Sequence, residues 1–317
     1  MTNSSVVRFA RQTVPVYLLL VAIVLVTSFV SPSFRTAINI DNLVNQLGTL
    51  AIVAIGQTFV ILEAGIDLSV GAVVSLSTVV MGLMTGNGGI WLPIGLLLTL
   101  IIGIAVGVLN GVGVVFLRVP PLIMTLASTA IVGGVALYLM PSPGGIVDEG
   151  FANFVDGSIG PIPSLALIIL LLYGVGWLLL ASTAFGRATF AVGADVGEGE
   201  IARRNGVPVR RVQVLGYILS GLAAAIGGII LSARIYSGDP TIGDTFALDS
   251  IAAVVLGGTS LFGGIGGVVG TLGGAILLTL LGNVLNMINV PTYYQQIAEG
   301  VILVVALVSY RVSQRRA

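Results

Sequence analysis

Several polar side chains interrupt apolar stretches of this sequence: Gln57, Asp67, Ser69, Asn110, Thr125, Asp249, Thr259, Ser260, Asn283, Asn286 and Glu299. Most are amides or hydroxyls, which both donate and accept hydrogen bonds. Such a set suits an uncharged, hydroxyl-rich solute, whereas a path for ions or carboxylates would more naturally show acid and base pairs. Polar groups in apolar helices face a cavity or another helix. Each can therefore equally be a tie between helices, through a hydrogen bond of about 0.6–2 kcal/mol. Asp67 and Asp249 stand just before Leu68-Ser69 and Ser250 and are read as N-caps, which accept from orphan backbone N–H groups. Glu299 lies inside the last apolar run, near its outer end, with Arg234 as a possible partner.

The missing residue types narrow the chemistry further. The 317 residues include no Cys, no His and no Lys, so all 13 basic residues are Arg. Disulfides, Zn–Cys clusters, imidazole catalysis and Schiff-base chemistry are excluded. A P-loop requires its phosphate-binding lysine, so this chain carries no ordinary ATPase site. Active transport would draw its energy from a partner or an ion gradient. A formal net charge of zero also argues against nucleic acid as a ligand.

One polar segment, 183–211, is long enough to hold structure of its own. Within it Asp195 or Gly197 can open a short helix. Glu198 and Glu200 would lie near its positive end, with Arg203 and Arg204 near its negative end. Gly206 and Pro208 then supply a stop. The spacing predicts one helix of roughly two turns, suited to dock a cytoplasmic partner. A solvated loop whose arginines merely set topology is the alternative.

The elements that must position these residues are membrane helices. Hydrophobic residues make up 56% of the chain and charged ones 8%, against about 25% charged in soluble domains. Apolar runs long enough to span occur at 14–31, 44–62, 66–85, 91–116, 122–140, 162–182, 212–232, 248–262, 264–288 and 294–310. The fold expected is an all-α polytopic membrane protein of about ten spans, forming one domain over 1–317. Two runs, 66–85 and 248–262, are expected to be short or broken, which is tolerated where backbone is buried or lines a cavity. The run 14–31 lacks a cleavage site and is read as a retained first span. With the N-terminus in the cytoplasm, every Arg except Arg35 and Arg234 falls inside, so both termini are cytoplasmic.

Glycines at four-residue spacing, Gly103/Gly107/Gly111 and Gly266/Gly270/Gly274, predict smooth helix faces for close neighbours. Sliding faces in a transport cycle are the other reading. Gly263-Gly264-Ile265-Gly266-Gly267 lacks the strand and spacing of a dinucleotide fingerprint and is expected to be a tight connection between spans.

From about 39 to 310 the sequence resembles the membrane permease of ribose-, xylose-, arabinose- and galactoside-type bacterial ABC importers. The resemblance rests on Gly65-Ile66-Asp67-Leu68-Ser69-Val70-Gly71, Leu109-Asn110-Gly111 and Pro120-Pro121-Leu122-Ile123-Met124-Thr125-Leu126. It continues through Gly186-Arg187, the run from Leu248-Asp249-Ser250 to Thr259-Ser260-Leu261-Phe262-Gly263-Gly264, and Asn283, Leu285 and Asn286. It implies a coupling element within 183–211 that docks on the ATPase. The matching positions are Glu200, Ala202 and Gly206, with Arg203 beside them. Ile201 replaces a usual Ala, Asp195 stands near a usual Asn, and about three extra residues surround 196–198; these departures bear on which ATPase is accepted.

The resemblance also implies an ATPase with two nucleotide-binding domains, which holds ATP and Mg, so no cofactor is expected in this chain. An extracytoplasmic sugar-binding protein and a second permease copy or paralogue would complete the assembly in lipid, at a bacterial inner membrane. Candidate path residues are Gln57, Ser69, Asn110, Thr125, Thr259, Ser260, Asn283 and Asn286. Nucleosides or branched-chain amino acids are alternative cargoes. A gradient-driven secondary transporter is a rival mechanism, weakened by the scarcity of charges in the spans.

Overall fold

The computed structural model describes the backbone of residues 3–195, 200–291, 293–295, 297 and 300–301. The run 294–310, Glu299 and the extra residues 196–198 therefore lie largely or wholly outside the described residues. The helices are α1 (Asn3–Val30), α2 (Ala37–Leu62), α3 (Val70–Met84), α4 (Trp91–Val115), α5 (Pro121–Leu139), α6 (Glu149–Asp156), α7 (Ser164–Ser182), α8 (Ala184–Ala194), α9 (Glu200–Arg204), α10 (Val209–Ile235), α11 (Phe246–Leu256) and α12 (Val268–Met287). A two-residue antiparallel hairpin, Ser158–Ile159 with Ile162–Pro163, precedes α7.

Among the described residues six helices are long and apolar enough to cross a membrane: α2, α4, α5, α7, α10 and α12. Val14–Val30 of α1, α3 and α11 are shorter apolar helices. The doubtful geometry expected at 66–85 and 248–262 is thus present, as helices of 15 and 11 residues.

Burial sorts the helices into a centre and a periphery. In the most apolar window of α2, 78% of residues are enclosed by the protein, and in that of α10 67% are; in α4 and α5 only 22% are. From Gly48 to Leu62, α2 is buried on every side. A helix apolar all round belongs at a core, and α10 packs there against α2, α3 and α4. The outward residues of α4 and α5, such as Leu97, Ile101, Ile123 and Ile131, are apolar and exposed, as a lipid-facing surface requires.

Gly103, Gly107 and Gly111 form the contact between α4 and α10. A Cβ on Gly107 would lie 2.5 Å from the carbonyl oxygen of Tyr217 and 2.7 Å from Cα of Ile218. Of the second glycine trio, Gly270 and Gly274 meet the backbone of Gly257 and Ala253 at the α11–α12 contact. Gly266 does not belong to that stripe: it precedes α12, with φ 130. The expected tight connection is there, with Gly263 and Gly264 at φ 82 and 72.

Backbone against backbone leaves no soft atom to yield. Gly107→Leu should therefore cost about 3 kcal/mol or more, seen as a lower melting temperature of the purified protein. Gly133→Leu, on α5 where a Cβ meets nothing within 4 Å, should leave it unchanged.

The segment that joins α10 to α11 is irregular. The chain leaves α10 at Tyr236, with φ 55, and runs non-helically beside α3. The Thr78 hydroxyl accepts from the Asp239 N–H at 3.0 Å and donates to its carbonyl at 2.9 Å. The Ser75 hydroxyl accepts from the Gly243 N–H at 2.8 Å. Gly238 also exchanges two backbone hydrogen bonds with Gly144, of 2.7 and 2.9 Å. Irregular backbone has no helical partners of its own, and two α3 hydroxyls supply them here.

Candidate functional site

The segment 183–211 holds more structure than one short helix. Thr183 ends α7 and caps α8, its hydroxyl accepting from the Gly186 N–H at 3.1 Å. α8 then lies against the end of α2: Thr189 donates to the Glu63 carboxylate at 3.1 Å. A Cβ on Gly193 would collide with the Leu62 carbonyl and the Gly264 amide, which are themselves hydrogen-bonded at 2.9 Å. Asp195 follows α8 and reaches forward to the start of the described part of α9. Its carboxylate accepts from the N–H groups of Ile201 and Ala202 at 2.6 and 3.1 Å.

Residues 196–199 lie outside the described residues; the part of α9 that is described is one turn, Glu200–Arg204. It ends in a Schellman motif: the Gly206 N–H bonds the Arg203 carbonyl and the Val207 N–H bonds the Ala202 carbonyl, each at 3.0 Å. Gly206 takes the left-handed conformation this requires, φ 81. Ala202 is buried, while Glu200 and Arg204 form an exposed i,i+4 pair at 2.6 Å. Arg203 faces a cavity of about 930 Å³ that Arg118, Arg210 and Arg211 also line, with Glu63 and Asp195.

The polar residues of the spans divide into two groups. Ser69, Asn110 and Ser128 form an enclosed bracket. Ser69 donates to Asp67 at 2.6 Å, Asn110 donates to Ser69 at 2.8 Å, and Ser128 donates to the Asn110 carbonyl oxygen. Three elements, the approach to α3, α4 and α5, are thereby tied together. Thr125, also buried, donates to Pro121 O one turn earlier, at 2.9 Å. Asp67 is not an N-cap; it accepts from the N–H of Ser69, which holds that position, at 2.9 Å. Gln57 is fully buried in α2, and neither polar atom of its side chain has a partner among the described residues. Thr259 and Ser260 serve the α11–α12 connection, accepting from the N–H groups of Gly267 and Phe262 at 3.1 and 3.2 Å. Asn283 ties α12 to α2 by donating to Asn39 at 3.0 Å.

Asn286 is the exception, and it identifies the second group. It lines an open cavity of about 260 Å³ between α2, α11 and α12, together with Gln46, Asp249, Thr279 and Gln295. Asp249 is not a helix cap either. Thr245 holds the N-cap of α11, and Asp249, at the fourth helical position, points into this cavity. Among the described residues the lining has one carboxylate and no cation. Gln46 and Gln295 stand in the first turn of their apolar runs, where polar residues are common, and Thr279 alone is a weak signal, so none of the three stands out in the sequence. Ser75 and Thr78 escaped it because hydroxyls inside a helix usually bond their own preceding turn.

Residues 39–307 match the family described as "branched-chain amino acid transport system / permease component". The ribose import permease protein of Bacillus subtilis is 39% identical over 298 residues, 92% of this chain and 90% of the relative. That of Escherichia coli K12 is 38% identical, over 91% and 90%. The xylose transport system permease protein of E. coli K12 is 32% identical, over 95% and 93%. No solved structure matches. With the family match covering most of the chain and relatives aligned over about nine-tenths of both lengths, this chain belongs to the branched-chain amino acid transport system / permease component family.

Proposed function

We propose that this chain is the non-catalytic membrane subunit of an ATP-driven importer, and that its cargo is a monosaccharide delivered by an extracytoplasmic binding protein. The observation that carries the cargo class is the polar part of the lining of the 260 Å³ cavity, three amides, a hydroxyl and one carboxylate beside Leu50, Phe246 and Leu278. Those groups hydrogen-bond neutral polyols well. A branched-chain amino acid, as the family description names, would bring an ammonium and a carboxylate together, and the described lining offers nothing to pair the latter. Relatives named for ribose and xylose support the same class.

In this reading the chain makes ten spans in a bacterial inner membrane with both termini cytoplasmic. The convergence of Arg118, Arg203, Arg210 and Arg211 at one end supports the orientation. The α8–α9 unit, with Glu200, Ala202, Arg203 and Gly206, is the coupling element on which a partner ATPase acts; ATP and Mg belong to that partner. A second permease subunit faces the open polar surface of α2, α11 and α12, which would be costly against lipid, and the path runs between them. Asn286 and Asp249 line it, while Ser69, Asn110, Thr125, Thr259, Ser260 and Asn283 hold the helices behind it; Gln57, buried without a partner among the described residues, is given no role in it.

The test is uptake in cells lacking their own pentose importers and supplied with this permease, its ATPase and its binding protein. Labelled pentose should accumulate and be competed by other monosaccharides but not by leucine or a nucleoside. Accumulation of leucine or a nucleoside instead would overturn the cargo assignment.

A further inference from the structure

The cavity of about 930 Å³ at the end of α4 is lined by four arginines. Arg118, Arg203, Arg210 and Arg211 converge there, all exposed, and among the described residues none is in a salt bridge. Of the two carboxylates in the lining, Glu63 is buried and holds Thr189, and Asp195 is engaged on the N–H groups of α9. The remaining field is positive. Arg118 is fixed by a backbone turn at φ 58. Arg210 lies over the ring of Phe116, its guanidinium carbon 5.8 Å from the centroid.

Beside these charges the surface becomes apolar at once. Phe116, Leu117, Leu122 and Ile123 are exposed by 55, 71, 49 and 59%. They sit at the facing ends of α4 and α5, the two helices whose outer surfaces are the most lipid-like. A cationic cleft opening onto an apolar helix surface matches a phosphate with acyl chains attached, and basic pockets between spans at the cytoplasmic face bind such headgroups. Arginine forks also suit phosphate oxygens geometrically.

We propose that the cleft formed by Arg118, Arg210 and Arg211, with Phe116 and Leu117 at its mouth, is a binding site for the headgroup of an anionic phospholipid. The site holds the start of α10 and the α4–α5 turn at the membrane surface, next to α9. It does not depend on which solute the protein carries.

Native mass spectrometry of the purified full chain, with phosphatidylglycerol or phosphatidylcholine added to the detergent, tests this. Phosphatidylglycerol should remain bound where phosphatidylcholine does not. The variant Arg118→Gln/Arg210→Gln/Arg211→Gln should weaken it by about a hundredfold, as expected for three charges at a membrane surface. Arg35→Gln/Arg187→Gln should retain it and reports that charge removal elsewhere is harmless. Equal retention of phosphatidylcholine, or unchanged phosphatidylglycerol binding in the triple variant with a native melting temperature, overturns the proposal. Displacement by millimolar inorganic phosphate beyond the effect of equal ionic strength would make it a free-phosphate site. Displacement of the lipid by the partner ATPase would make the cleft a protein interface. Either result also overturns it.

Discussion

Gly193→Val is expected to abolish ATP-dependent uptake while leaving membrane insertion intact. Gly193 lies in the last turn of α8, where its missing side chain lets the helix touch backbone on two sides. A Cβ there would collide with the Leu62 carbonyl at the end of α2 and the Gly264 amide in the α11–α12 connection. Those two groups bond each other at 2.9 Å. Neither can retreat easily, because Gly263 and Gly264 are already in left-handed conformations. Overpacking of this kind costs about 3 kcal/mol or more. The strain is relieved most simply by lifting α8 off the membrane core. Asp195 would move with it, and its carboxylate is what caps α9. The coupling element would lose both its seat and its first turn.

A shift of about 3 kcal/mol corresponds to roughly a hundredfold loss of coupled transport. Uptake by membrane vesicles, normalised to the amount of inserted permease, measures it. Gly206→Val, which strains a single αL residue, should cost about 1–2 kcal/mol and give a milder defect. Normal uptake by the Gly193→Val protein would remove α8 from the coupling account.

Asp249→Leu should produce the largest defect among changes to the membrane cavity. Asp249 is the one carboxylate among the described lining residues, flanked by Gln46, Thr279 and Asn286. A hydrogen bond to a charged group contributes about 1.5–3 kcal/mol. Losing it for a passing polyol should slow uptake between about tenfold and a hundredfold. Asp249→Asn retains an oxygen acceptor and should remain within about tenfold of wild type. Basal ATP hydrolysis of the assembled transporter should stay unchanged in both, since α9 and its cavity lie elsewhere. Wild-type uptake by the leucine variant would show that the path does not pass this cavity.

Legibility in the sequence followed the range of the forces involved. The ends of α9 were readable because capping is local: Asp195, Gly206 and Pro208 act within a few residues of the helix. The neighbouring α8 was not, since 184–194 contains Gly186, Thr189 and Gly193, poor helix formers in isolation. Contacts with α2 and the α11–α12 connection hold it. Asp249 was read as a cap because Ser250 follows it, yet α11 begins earlier, at Phe246, where the segment 236–245 delivers the chain beside α3. That descent carries no periodic signal; it is fixed by Ser75 and Thr78 on a distant helix.

Glycine spacing marked a close-packing face on α4, though not its partner α10, because each of the three residues lies within one regular helix. It failed at Gly266, where the four-residue step crosses a helix start. Polar residues in the spans were recognisable as a set, but whether one is enclosed like Asn110 or exposed to a cavity like Asn286 depends on which helices surround it.

The most direct measurement is sugar uptake by proteoliposomes containing the permease, with the binding protein and labelled ribose or xylose outside and ATP inside. Uptake should require the partner ATPase and hydrolysable ATP together, and should persist when ion gradients are collapsed. Concentrative uptake by the permease alone, driven by an imposed proton or sodium gradient, would contradict the account.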